Sequence, residues 1–127
     1  MPAPRILLVE DDPGIRQGIA DFLGFEGYAV DLAKNGEEAL AYLRRERPAL
    51  VVLDLVMPVM NGAQLLAHMR AEGLDGVPVI VMTAAMPSAS VLPAADAYLT
   101  KPFDLDELLA FVSRHVDLPK DTTQRPA

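Results

Sequence analysis

Cysteine and tryptophan are both absent from the 127 residues. Without cysteine there is no disulfide framework, no thiolate metal site and no thiol nucleophile. A basic excess is missing too: 11 Lys and Arg stand against 18 Asp and Glu, a net charge of −7. That balance gives no cationic face for gripping a phosphate backbone and argues against direct nucleic-acid binding. Long apolar runs are lacking as well. The chain starts "MPAPRILLVE", one Arg and then four apolar residues before Glu10. This is too short for a secretory leader and far too short to span a bilayer, so a soluble cytoplasmic domain is expected. What is present, 51% hydrophobic and 23% charged residues, is the composition of a globular domain with one core.

Two kinds of segment alternate along it. "RILLVE" (5–10), "YAVDLA" (28–33), "ALVVLD" (49–54), "PVIVMT" (78–83) and "AYLT" (97–100) read as short strands rich in aliphatic and β-branched residues. Three are nearly continuous apolar runs, as parallel strands covered on both faces require. Between them apolar residues recur at helical spacing: Ile15, Ile19, Phe22 and Leu23 after Asp12-Pro13; Ala39, Leu40 and Leu43 after Asn35-Gly36; Leu65, Leu66 and Met69 after Asn61-Gly62. Leu105, Leu108, Leu109, Val112 and Val116 do the same after Asp104, where Glu107 completes a D-x-x-E capping pattern. Asp12 reads as a helix N-cap with proline at the first helical position. The alternation implies an α/β fold, a doubly wound five-stranded parallel sheet in the flavodoxin-like order 2-1-3-4-5. Residues 1–117 form the expected domain. Residues 118–127 are a tail or the start of a linker, since "DLPKDTTQRPA" loses all periodicity.

In such sheets ligands bind beyond the carboxyl ends of the strands. There the sequence places Glu10-Asp11-Asp12, Asp54, Thr83 and Lys101. Acidic side chains crowded on neighbouring strands raise one another's pKa unless a cation sits among them. Mg²⁺ suits this set: it takes one or two carboxylates, keeps several waters and shares its site with a substrate phosphate. Lys101 then supplies a point charge, and Thr83 a hydroxyl donor, to a phosphoryl group. Asp54 is the candidate nucleophile, forming an aspartyl phosphate.

"LLVEDDP", "LVVLDLVMPVMNG", "VIVMTA" and "YLTKPF", in this order and each at a strand end, resemble the receiver domain of two-component response regulators over roughly residues 5–116. The resemblance implies that Asp54 is the phosphoacceptor and that Asp11 contacts Mg²⁺ directly, with Glu10 acting through water. It makes the backbone carbonyl of Val56 a further ligand, Thr83 and Tyr98 a switch pair, and Lys101–Pro102 a cis peptide bond. It further implies a histidine kinase or phosphotransfer protein as donor, a downstream protein or output domain outside this chain as target, and catalysis confined to the domain's own phosphotransfer and dephosphorylation.

Alternatives from other classes fit less well. A flavodoxin needs backbone and hydroxyl donors after strand 1, where this chain has three acids and repels an anionic cofactor. A haloacid-type phosphatase needs a second Asp two residues after the nucleophile, where this chain has Val56. A pseudo-receiver, a phosphorylation-independent docking module, would keep the fold and lose a site residue; none is lost here, yet it stays the runner-up because the readout face is unusual. One stretch departs from the family: "AAMPSASVLPAADAYLT" is about one helical turn shorter than usual. Pro87 and Pro93 bracket five residues, and proline inside a helix is disfavoured by ~3 kcal/mol. The helix between strands 4 and 5 is therefore expected to be shortened or distorted. His68 and His115, on helix faces, carry no partner that suggests phosphate carriage.

Overall fold

The computed structural model describes residues 4–57, 59–84 and 95–116. Five strands, β1 (Arg5–Val9), β2 (Ala29–Ala33), β3 (Leu50–Asp54), β4 (Val79–Thr83) and β5 (Ala97–Thr100), form one sheet in the order β2-β1-β3-β4-β5. Every pairing is parallel. Among the described residues, helices α1 (Pro13–Phe25), α2 (Gly36–Arg45), α3 (Gly62–Ala71) and α4 (Leu105–His115) accompany the sheet. The expected shortened helix between β4 and β5, and the expected tail at 118–127, lie outside the described residues.

Strand alternation divides the core into two layers. Ile6, Leu8, Leu50, Val52, Ile80, Met82 and Leu99 pack with Ile19 and Leu23 of α1 and Leu108 and Val112 of α4. Leu7, Val9, Val51, Leu53, Val79 and Val81 pack on the other face with α2 and α3. Both faces are covered, which is why strands 1, 3 and 4 carry almost no polar residue before their last positions.

The helix starts follow from local chemistry. Asp12 Oδ1 accepts from Ile15 N–H at 2.9 Å, and Asn35 Oδ1 from Glu38 N–H at 2.8 Å. Asn61 and Gln64 exchange two bonds of 2.9 Å, side chain to backbone in each direction. Each satisfies helix-terminal donors that would otherwise be orphaned. Two residues expected on the apolar helix faces behave differently: Ile15 is 43% exposed and Leu105 39%. Both lie in the first turn of their helices.

The acidic cleft at the strand ends

Three carboxylates converge where β1 and β3 end. One oxygen from each of Glu10, Asp11 and Asp54 lies within 4.8 Å of the others. The sheet dictates this. Glu10 N–H still bonds Ala33 O at 3.1 Å and Lys101 N–H bonds Thr83 O at 2.7 Å, so the ladder runs one residue past β1 and β5. Alternation then sends Glu10, Asp54 and Lys101 to the α1/α4 side, while Thr83 and Tyr98 share the α2/α3 side. Tyr98 packs against that second layer, its phenol pKa raised by burial.

Glu10, Asp54 and Thr83 are buried, whereas Asp11 is accessible to solvent. Lys101 reaches in with Nζ 3.2 Å from Asp54 Oδ2 and 3.6 Å from Glu10 Oε1. Asp54 Oδ1 accepts from the N–H of Val56 at 3.1 Å. Glu10 Oε2 accepts from Asp12 N–H at 3.2 Å, but its Oε1 is buried without a hydrogen-bond partner. Burial pushes the Glu10 carboxyl up to about 7; the charge of Asp54 adds to this, while the Asp12 N–H and Lys101 oppose it.

One ammonium cannot balance three acids at this spacing. Two charges about 5 Å apart still interact by roughly 3 kcal/mol at an effective dielectric near 20. An orphaned buried carboxylate oxygen beside two more acids therefore fits a hard, oxygen-seeking divalent cation. Among the described residues this is a donor set without sulfur or imidazole, which suits Mg²⁺ better than a soft metal.

The loop behind Asp54 is held at two close approaches. Gly36 N–H bonds Met60 O at 3.0 Å, and a Cβ on Gly36 would meet that oxygen at 2.7 Å. Gly62 N–H bonds Leu55 O at 2.9 Å, and a Cβ on Gly62 would lie 2.8 Å from Asp54 O. Between them Val59 adopts a φ of 68°, in the left-handed region that β-branched residues avoid. The Lys101–Pro102 bond is cis, as the resemblance implied.

Glu10, Asp11, Asp54, Val56, Thr83 and Lys101 lie at this end of the sheet, with Val56 74% exposed, whereas Tyr98 sits further back in β5, paired with Val81 of β4. Sequence reasoning missed Arg16, whose Nη1 donates to the main-chain oxygens of Glu10 at 2.8 Å and Asp11 at 3.3 Å.

A doubly wound parallel sheet with an acidic cleft and a lysine at its strand ends defines a class of open α/β domain whose candidate site lies where such sheets bind ligands. The sequence narrows that class: the model of the response regulator receiver domain matches residues 6–113, and the chain belongs to that family, part of two-component signalling. It is 43% identical over 110 residues to the response regulators MprA of Mycolicibacterium vanbaalenii and Mycobacterium leprae, covering 84% of this chain. The match takes in 47% and 48% of those relatives, so the chain spans about half their length. Among solved structures it resembles the response regulator TrrA of Thermotoga maritima in complex with Mg²⁺ and BeF. There the TM-score is 0.79 at 38% identity, over 89% of this chain and 99% of that one. It also resembles the receiver domain of a sensor histidine kinase from Pseudomonas aeruginosa, which has a magnesium ion coordinated in its active site cleft. That likeness has a TM-score of 0.81 at 33% identity, over 90% and 98% of the two chains.

Proposed function

We propose that this domain is a signalling switch that accepts a phosphoryl group onto Asp54 from a histidine kinase or phosphotransfer protein. The observation that carries the reading is the pairing of a buried Asp54, 6% exposed, with Lys101 at 3.2 Å inside the acidic cluster. A buried carboxylate held by one lysine and one backbone N–H is pre-positioned, with little reorganisation left to make.

In the transfer, an Asp54 carboxylate oxygen attacks phosphorus, a P–O bond forms, and the P–N bond to the donor imidazole breaks. The imidazole nitrogen leaves with the electron pair. Lys101 stabilises negative charge on the phosphoryl oxygens, and Thr83 donates its hydroxyl to one of them. Asp11, Asp54, Glu10 through water and the Val56 carbonyl would hold Mg²⁺, which when bound neutralises charge on the transferred group. Thr83 and Tyr98, on one face of neighbouring strands, couple the modified site to the output face. The domain catalyses only its own phosphorylation and dephosphorylation, in the cytoplasm. It is read by a downstream protein or an output domain outside this chain, and binds neither nucleic acid nor membrane itself.

Incubation with a small acyl phosphate tests the reading. Hydroxylamine-labile labelling that needs Mg²⁺ and disappears with a chelator supports it. Labelling that is unaffected by chelation, or none with Mg²⁺ present, overturns it.

A further inference from the structure

We propose that Arg16 is a positioning residue for the cation site, acting through the main chain of the Glu10–Asp12 loop. The inference rests on the reading of that site as a Mg²⁺ site. The Arg16 side chain meets two consecutive carbonyls, and its backbone N–H makes the ordinary i→i−4 helical bond to the next one. Its Nη1 donates to Glu10 O at 2.8 Å and Asp11 O at 3.3 Å, and its own N–H donates to Asp12 O at 2.8 Å. It joins no ion pair among the described residues. Its half-buried guanidinium is spent on backbone.

The loop needs such a partner. Past the Glu10 N–H, the last to bond β2, the chain leaves the ladder, and the carbonyls that follow lose their strand neighbours while remaining next to buried groups. A planar guanidinium can meet two of them from a fixed point on α1, which is itself started by the Asp12 cap. Fixing the carbonyls fixes the peptide planes, and these fix where the Glu10 and Asp11 side chains emerge. Outer partners of metal ligands act in this way, by orientation, and removing them typically weakens metal affinity about tenfold to a hundredfold.

Charge and orientation push in opposite directions here. As a bare cation, Arg16 repels a divalent ion, so on Coulombic grounds its removal would tighten binding. As a positioning group its removal loosens the ligands and weakens binding. The sign of the effect therefore separates the two.

The test is a Mg²⁺ titration of the protein and of Arg16→Met and Arg16→Lys, followed by calorimetry or amide NMR shifts. Metal-free thermal melts check that each variant is folded. Arg16→Met should raise the Mg²⁺ dissociation constant roughly tenfold; Arg16→Lys, which keeps charge and one donor group, should fall between it and the parent. Phosphorylation by a small donor should need correspondingly more Mg²⁺ for its half-maximal rate, with the saturating rate unchanged. If Arg16→Met does not fold, a weakening in Arg16→Lys, whose charge is unaltered, carries the same meaning. Unchanged or tighter Mg²⁺ binding in the folded variants overturns the proposal. Absence of Mg²⁺ binding in the parent protein is a different result, and overturns the cation site itself.

Discussion

Lys101 Nζ lies 3.2 Å from Asp54 Oδ2, although the two residues are 47 positions apart. The contact crosses from the end of β3 to just beyond β5, with β4 between them. The same ammonium faces Glu10 Oε1 at 3.6 Å, so one cation serves two buried acids. Lys101→Met should therefore slow phosphoryl acceptance by about a hundredfold or more, the range seen when a preorganised charge-stabilising group is lost. Arginine should restore little, because a planar fork does not replace a compact point charge between two carboxylates. Rates of labelling by a small phosphodonor at saturating Mg²⁺ check both.

Glu10 makes the site sensitive to pH. In the metal-free fold its carboxyl is raised to about 7 from an ordinary 4.5, chiefly by burial. The native state thus keeps a proton that the unfolded chain has released, and this contribution to stability is full below about 4.5 and lost as pH rises through 7. A cation binds the ionised form and must displace that proton. Mg²⁺ affinity should accordingly climb between about pH 6 and pH 8, with a proton released per ion bound below the midpoint. Calorimetry in buffers of different ionisation heat measures it, and Glu10→Gln should flatten the dependence.

The loop after Asp54 should respond to small changes of shape. Gly62→Ala places a Cβ 2.8 Å from the backbone of Asp54 and Leu55, which cannot swing aside. It should cost on the order of 1–3 kcal/mol. Val59→Gly should instead stabilise by about 1 kcal/mol, because glycine accepts the φ of 68° without strain. Gly18→Ala, inside α1 with nothing within 4 Å, serves as a control and should stabilise by up to ~1 kcal/mol. Denaturant melts of the three variants give the order.

Once formed, the phosphoryl group should be long-lived. Val56 sits at the rim of the cleft, 74% exposed, with no side-chain atom able to orient an attacking water. Val56→Asn should accelerate hydrolysis roughly tenfold by holding that water in place. The decay of phosphorylated protein after donor removal reads this directly. Ala85, two residues after Thr83 and likewise without a polar side chain, lies outside the described residues.

Much of this fold and site is legible in the sequence, for identifiable reasons. Strands buried on both faces leave apolar runs such as "LVVLD", and a run that ends on a carboxylate marks the functional edge of a parallel sheet. The N-cap at Asp12 was equally readable, because capping chemistry is local. Arg16 was not. Its partners are main-chain carbonyls, which every residue possesses, so no pattern of residue types betrays the contact. Nor could periodicity show that Ile15 and Leu105 stand exposed, since it tells which side of a helix is apolar but not how much of that side is covered. The closeness of Gly36 to Met60 was hidden for the same reason as Arg16: a backbone hydrogen bond joins the start of α2 to the loop after β3.

The role of Asp54 is tested most directly by intact mass. The parent protein and Asp54→Asn are incubated side by side with Mg²⁺ and a small phosphodonor, and each is weighed before and after. The parent should gain the mass of one phosphoryl group, and Asp54→Asn should gain none while melting as a folded protein. An equal gain in both proteins would contradict Asp54 as the acceptor.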